Sequence, residues 1–230
     1  MRALLPAALL CFAASPAAAA ERGYSITSFD RIRVEGPFAI TLATGRPVSA
    51  RASGSPQALD RVQLRVEGRT LLVRAGPAWG GAPRGDSGPI ALTLTTPELS
   101  TAILLGSGRL AIDRMRGARL VLTVEGSGGL SVGTLETDTL VMGISGAGRI
   151  EAAGRARMAN VLARGAADIR AAGLQVVDLV VTSQSAGAVA LSATRSARVT
   201  ASGLGPVEIG GGAACTVAQT GAGPVRCGSD

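Results

Sequence analysis

The amino-acid sequence predicts an all-β protein: a parallel β-helix, or β-solenoid, of about seven coils of about 20 residues each, with an N-terminal β cap. Three observations predict this fold. Glycine-rich motifs recur at a nearly constant interval, apolar and polar residues alternate on both sides of each motif, and aromatic residues number only 5 among 230. Such a composition suits a narrow interior filled by alanine, valine and leucine.

The repeat consists of a glycine-rich corner between two strands. Seven copies begin at intervals of 20, 20, 19, 20, 18 and 18 residues. The copies are Gly106-Ser107-Gly108, Gly126-Ser127-Gly128, Gly146-Ala147-Gly148, Gly165-Ala166-Ala167, Ser185-Ala186-Gly187, Gly203-Leu204-Gly205 and Gly221-Ala222-Gly223. Apolar side chains recur four residues after each start and mostly polar ones follow directly, which is typical of a strand with one buried face. Glycine suits the corner because it accepts positive φ and has no side chain to clash with the neighbouring coil.

Coils of this length cannot bury their own apolar residues, so they must stack. The stacking predicts that Leu110, Leu130 and Ile150 form one buried vertical row. At roughly 4.8 Å per coil the stack is about 33 Å long. Helical repeats of the same period are excluded, because two glycines in each unit and β-branched alternation oppose helix formation.

Two cysteines flank the last corner. Cys215 lies six residues before its start and Cys227 six residues after it, both at inward positions. Such positions face one another across the interior, so we predict a disulfide that closes the final coil; two separate buried thiols are the alternative.

The first 99 residues lack this repeat. Residues 1–20 have an apolar core and a small-x-small pattern before Glu21, which predicts a Sec-type signal peptide and export to the periplasm or cell surface. Residues 21–99 are predicted to form the β cap, and residues 100–230 the solenoid. Within the cap we predict strands at 32–34, 38–42 and 90–95, a hairpin around Glu67-Gly68-Arg69 and a short helix at 56–61. A glycine- and proline-rich loop at 76–89 holds Trp79.

The composition excludes several chemistries. The chain has no histidine, and all 23 basic residues are arginine. Histidine catalysis, histidine metal ligation and lysine Schiff bases are therefore excluded. The acids are too scattered to predict a calcium site, and we predict no cofactor, no metal and no catalytic residue.

Charged residues give the candidate sites. Six arginines on the middle coils form a candidate patch for an anionic ligand: Arg155, Arg157, Arg164, Arg170, Arg195 and Arg198. A surface that merely reflects the arginine-rich composition is the alternative. Glu136 and Asp138 share one connector, and two carboxylates could act as an acid–base pair on a sugar bond. No neighbouring coil supplies a matching acid, so a solvated loop is the preferred interpretation.

A column of outward valines is the last feature of note. Val121, Val141 and Val180 share this column, which Asn160 interrupts. Exposed valines on a sheet mark either a partner surface or a face beneath the N-terminal cap, and the sequence leaves both open.

These motifs resemble the head GIN domain family, described as heads of autotransporter adhesins. The resemblance is carried by Gly36-Pro37-Phe38, the Glu67-Gly68 hairpin, Pro97-Glu98-Leu99 and the serial Gly-Ser-Gly units, and it covers residues 25–228, so that 21–230 form one continuous domain. It implies a bacterial envelope protein with a β-helical fold and brings no catalytic residues.

The preferred hypothesis is a non-enzymatic, adhesin-like binding or structural module. Its candidate partners are an anionic glycan, lipopolysaccharide or an envelope protein; nucleic acid is disfavoured, no transmembrane segment is predicted in the mature chain, and the oligomeric state is left open. The alternative is a polysaccharide-degrading enzyme on a β-helix scaffold.

Overall fold

The computed structural model describes residues 20–76 and 90–229. Among these residues, the elements before the long strands of the repeat are eight short strands and one helical turn. They are β1 (Ala20–Tyr24), β2 (Arg31–Glu35), β3 (Ala39–Thr44), β4 (Ser49–Gly54), α1 (Pro56–Leu59), β5 (Val62–Glu67), β6 (Thr70–Ala75), β7 (Ala91–Thr96) and β8 (Thr101–Gly106).

The repeat region forms five long strands, β9 to β13, followed by three short ones, β14 to β16. They are β9 (Arg109–Gly126), β10 (Gly129–Gly146), β11 (Arg149–Gly165), β12 (Asp168–Ser185), β13 (Val189–Ala201), β14 (Val207–Gly210), β15 (Ala214–Gln219) and β16 (Val225–Ser229). Successive strands pair in parallel, and together they build a β-solenoid of about six turns. The predicted fold class is confirmed.

Like residues stack directly over like. Leu130 lies between Leu110 on β9 and Ile150 on β11, and all three side chains are buried. Ile169 continues the row below and Ile40 above. Because every coil adds one apolar side chain to each inward row, the interior is a continuous column of aliphatic side chains. The predicted vertical row is confirmed.

The glycine corners of successive coils stack so closely that there is no room for a side chain between them. Gly106, Gly126, Gly146 and Gly165 all have positive φ, between 88° and 112°. A Cβ on Gly146 would lie 2.5 Å from the carbonyl oxygen of Gly126. Both the backbone conformation and the close approach of the neighbouring coil therefore require glycine here.

The N-terminal region extends the stack instead of lying over it as a separate layer. β2 pairs in parallel with β8 and β3 with β9, so residues 31–44 form a coil with its corner at Gly36. β6 and β7 lie next outward, where β6 pairs with β2 and β7 with β3. The coil at 31–44 is thus sandwiched between strands β6 and β7 on one side and β8 and β9 on the other, although it precedes all four in the chain.

Antiparallel strands close this end of the solenoid. β4 pairs with β7, β1 pairs with β4, and β5 pairs with β6. The predicted hairpin is confirmed, with Gly68 at φ +61° in its turn. The predicted short helix is α1, which Ser55 caps by accepting a hydrogen bond from the Ala58 amide. Antiparallel pairing turns the end strands away from further parallel coils and so protects the edge.

A disulfide joins Cys215 on β15 to Cys227 on β16 across the final coil, with 6.1 Å between the Cα atoms. The predicted pairing is confirmed. β15 is exposed along its whole length, because it has a neighbouring coil on one side only. The disulfide therefore stabilises a part of the fold in which few side chains are buried.

Ser183 provides a test of packing inside the column. It lies between Ala163 and Ala201 in an inward row, is 1% exposed, and its hydroxyl has no hydrogen-bond partner. A buried hydroxyl without a partner is destabilising, so Ser183→Ala is expected to raise the free energy of unfolding by about 1 kcal/mol. Urea unfolding measures this change.

Ser185 is the matched control for that substitution. It is also buried, but its hydroxyl donates to the Ala167 carbonyl and accepts from the Gly187 amide, both at 3.0 Å. Ser185→Ala is expected to lower the free energy of unfolding by about 1 kcal/mol. Changes of the same sign in the two variants would contradict the assignment.

Two predicted features lie outside the described residues: the signal peptide, apart from Ala20, and most of the loop that holds Trp79. Of the residues that are described, none forms a helix with the length and apolar character needed to cross a membrane.

Candidate functional site

A groove with a volume of about 640 Å³ runs across successive coils, on the part of each coil that lies between one glycine corner and the next. We call it the ladder groove. Four consecutive strands, β9 to β12, supply most of its wall. It is lined by Arg116, Gly117, Ala118, Glu136, Thr137, Asp138, Arg155, Ala156, Arg157, Gln175, Val176, Val177 and Thr194.

Stacking explains why charges of opposite sign meet in this groove. The register places Glu136 between Arg116 and Arg155, one coil to each side. One carboxylate oxygen of Glu136 lies 2.7 Å from Arg116, and the other accepts a hydrogen bond from Arg155 Nε at 3.1 Å and a further one from Arg155 Nη2. These three side chains form a ladder of alternating charge along the stack.

This ladder fixes the charge of its central carboxylate. The hydrogen bonds from Arg155 lower the pKa of Glu136 below its ordinary value, and Arg116 adds to the effect. A general acid in glycoside cleavage needs the opposite, a raised pKa. Glu136 is therefore suited to accept hydrogen bonds from a ligand and poorly suited to donate a proton.

A second row of ion pairs follows beside the first. Arg157 Nε lies 3.7 Å from Asp138, the other predicted carboxylate. Asp178 binds Arg195 on the next coil and accepts a hydrogen bond from the Ser196 hydroxyl at 2.7 Å. Arg195, and after it Ser196, lower the pKa of Asp178. Both predicted carboxylates thus lie in the ladder groove, each facing an arginine.

The six predicted arginines do not share one surface. Arg155 and Arg157 line the ladder groove. Arg195 lies beside the groove and forms an ion pair with Asp178. Arg170 lies in the strand segment that follows the glycine corner, 3.2 Å from Asp168. The other two lie on a further face. Arg164 donates to Gln184 at 3.3 Å, and Arg198 shares an outward column with Val180.

Arg116 belongs to the groove although it was not among the predicted residues. Its position could have been read from the repeat, because it precedes Glu136 by 20 residues, the interval between their two corners. Across residues 20–76 and 90–229, no three cysteine, aspartate or glutamate side chains group as metal ligands would.

The outward valines are partly accessible and are not covered by the N-terminal cap. Val121 and Val141 are half-buried, and Val180 is 43% exposed. Of the two interpretations of this column, the structure therefore favours an open face.

The Glu136 ladder makes stability depend on pH in a defined direction. Because the folded pKa lies below that of the unfolded chain, about 4.3, the ladder contributes fully above that value and its contribution is lost as the pH falls through the folded pKa. Glu136→Gln is therefore expected to lose less stability than the wild type between pH 5 and pH 2. Thermal unfolding across this range is the measurement.

The control for this pH series is Glu151→Gln. Glu151 is exposed and forms no ion pair within the described parts of the chain. Its variant is expected to follow the wild-type curve. An acid dependence identical in all three proteins would contradict the role of Glu136.

Comparison with known proteins supports the fold and the resemblance. A family model described as "Putative auto-transporter adhesin, head GIN domain" matches residues 28–213. A search of curated proteins finds no match.

Three solved structures of bacterial proteins are similar in fold. A putative adhesin from Bacteroides fragilis is 20% identical with a TM-score of 0.81, covering 90% of this chain and 96% of its own. A putative adhesin from Parabacteroides merdae is 20% identical with a TM-score of 0.70, covering 91% and 95%. A putative lipid binding protein from Parabacteroides distasonis is 18% identical with a TM-score of 0.66, covering 91% and 96%. Identities at this level show a common fold.

The family match spans most of the chain and coincides with the stacked coils from β2 to β14. The chain therefore belongs to the head GIN domain family of adhesin-like proteins.

Proposed function

We propose that this protein is a non-enzymatic, secreted binding module of the cell envelope or surface, and that the ladder groove binds an acidic glycan. The observation that carries the proposal is the groove itself, in which three arginines and two carboxylates stand in register across consecutive coils. The family description as an adhesin head supports a binding role. The predicted signal peptide supports export, and sequencing the N-terminus of the mature protein, expected at Glu21, tests it.

The groove has the size and shape of a ligand site. Its volume of about 640 Å³ lies within the range of about 300–1,000 Å³ usual for small-molecule sites. It is open along the stack, so a polymer could enter without threading. Its floor is formed by buried apolar side chains such as Ala156 and Val176. The charged side chains that alternate with them are exposed.

The charges suit a sugar acid. Arg116, Arg155 and Arg157 exceed the two carboxylates by one positive charge. Guanidinium groups bind carboxylates through paired hydrogen bonds, and the lining carboxylates can accept hydrogen bonds from sugar hydroxyls. The arginines are already oriented by Glu136 and Asp138, so little side-chain order has to be gained on binding.

The same ion pairs argue for binding rather than hydrolysis. The lowered pKa of Glu136 leaves the groove without an evident proton donor at that position. Incubation with polygalacturonate and with peptidoglycan is expected to release no reducing ends or fragments. Release that is abolished by Glu136→Gln would establish the enzymatic alternative instead.

Calorimetric titration with polygalacturonate, and with neutral dextran for comparison, tests the proposal. The wild type is expected to bind polygalacturonate more weakly as salt is added. Arg155→Gln with Arg157→Gln is expected to reduce affinity by about tenfold or more. Arg226→Gln, which removes an exposed arginine from a distant coil, is the matched control. Equal affinity in the wild type and the double variant would overturn the proposal.

A further inference from the structure

One face of the solenoid differs from the rest in carrying almost no charge at its centre. We call it the valine face; it consists of the outward side chains of residues 101–105, 119–125, 139–145, 158–164, 178–184 and 196–202. The two central columns run through Val121 and Thr123 and carry one charged side chain over these six segments, Arg198. Two of the exposed large apolar side chains, Val180 at 43% and Met158 at 40%, belong to it.

The other outward faces carry charged side chains along their length, several of which pair with one another. The strand segments after the glycine corners carry Arg149 and Arg170, both on Asp168, and the ladder groove pairs its arginines with Glu136 and Asp138. On the valine face, charge is confined mostly to the rim, where Arg119 forms no ion pair within the described residues. A regular, uncharged sheet face bordered by unpaired charge is the pattern of a surface that a partner covers.

We infer that the valine face of one chain packs against the valine face of a second copy, around a two-fold axis that runs parallel to the strands between β10 and β11. This interface is independent of the ladder groove. Such an axis places β9 opposite the partner's β12, and β10 opposite its β11. Leu162 on β11 then faces Gly143 of the second copy, where nothing lies within 4 Å of the position a Cβ would take. A protruding side chain therefore meets an open position, twice by symmetry.

The rim charges agree with this symmetry. Arg119 on β9 faces Asp178 on β12 of the second copy. Glu125, at the other end of the same strand segment, faces Gln184, whose neighbour on the adjacent coil is Arg164. One edge thus brings Arg119 to Asp178, which also binds Arg195 of its own chain, and the other brings Glu125 to the neutral amide of Gln184. Val121 meets Val180 between the two edges.

The size of the face is sufficient for a dimer. Six coils at about 4.8 Å, and strand segments of about 20 Å, give a footprint of about 600 Å² on each copy. The total of about 1,200 Å² reaches the lower end of the range for specific interfaces. The described part of the face contains no tryptophan or tyrosine, the residues that anchor proteins at lipid interfaces, so a second sheet fits it better than a membrane.

Sedimentation velocity at increasing concentration tests the inference. The wild type is expected to dimerise below about 100 µM, as an interface of this size allows. Leu162→Glu is expected to weaken the dimer by about tenfold or more, because it places a charge at the centre of the contact. Ser131→Glu, at an outward position in the segment after the glycine corner, is the matched control and is expected to leave the dimer unchanged.

Exchanging the protruding and open positions tests the symmetry itself. Gly143→Leu and Leu162→Ala are each expected to weaken the dimer, whereas the double variant is expected to restore it, because the leucine introduced at position 143 would then fill the space left at position 162 of the second copy. Circular dichroism verifies that each variant is folded. A wild type that stays monomeric, a dimer insensitive to Leu162→Glu, or a double variant no tighter than the single ones would overturn the inference. A monomer that co-sediments with phosphatidylglycerol vesicles through this face would overturn it in favour of a lipid surface.

Discussion

Gly146→Ala is expected to lower the free energy of unfolding by about 3 to 5 kcal/mol, the sum of backbone strain and steric overlap. Gly146 has φ +112°, a region that side-chain-bearing residues rarely occupy, and its Cβ would lie 2.5 Å from the Gly126 carbonyl oxygen. Relief would require moving one coil away from the next, which breaks backbone hydrogen bonds on both sides. Urea unfolding at fixed protein concentration measures the loss.

Gly129→Ala, on the same strand β10, separates this effect from the general cost of removing a glycine. Gly129 lies at the start of β10, and a Cβ there would meet nothing closer than the Arg109 side chain at 3.9 Å. Its variant is expected to be neutral or slightly more stable, by up to about 1 kcal/mol, because alanine restricts the unfolded chain. Equal destabilisation by both substitutions would contradict the packing role of the corner.

Replacing Cys215 and Cys227 by serine is expected to cost about 3 kcal/mol in the chain-entropy model of a loop this short. The loss should be greatest in the final coil, because β15 is exposed and its one parallel pairing within the described residues is with β13. Hydrogen exchange should therefore show β15 and β16 losing protection while the Leu130 row keeps it. Urea unfolding gives the overall change.

Reduction of the wild type provides the control for this double variant. Dithiothreitol should bring the wild type to the stability of the double variant and leave the double variant itself unchanged. A wild type that retains its full stability after complete reduction would show that the bond contributes little to the folded state.

The repeat could be predicted from sequence because each coil uses the same local rule. A corner followed by alternating apolar residues specifies both the strand and its inward face, so Leu110, Leu130 and Ile150 had to align. The coil at 31–44 could not be found in this way. Its corner is Gly36-Pro37-Phe38, in which Phe38 takes the position of Gly108, and residues 45–100 separate it from the coil that it contacts.

The site was harder to predict than the fold. Sequence distance places Arg116 beside Glu136 but does not identify Arg155 as its second partner, because coil lengths of 18 to 20 residues shift the connectors relative to the strands. The register shifts between Val132 and Leu135 and again between Glu151 and Gly154. Glu136 consequently meets Arg155 rather than a residue one full period away, and only the folded stack shows it.

The sandwiched coil at 31–44 also constrains how the chain is assembled. Ile40 needs Leu92 on one side and Leu110 on the other, so synthesis must pass residue 110 before this early segment has both of its neighbours. Contacts between residues so distant in sequence are slow to form, because a long loop must close first. The N-terminal segment therefore cannot fold first and then provide the surface on which later coils form during synthesis. The regular coils that follow, each contacting the one made just before, can form as fast as they are synthesised.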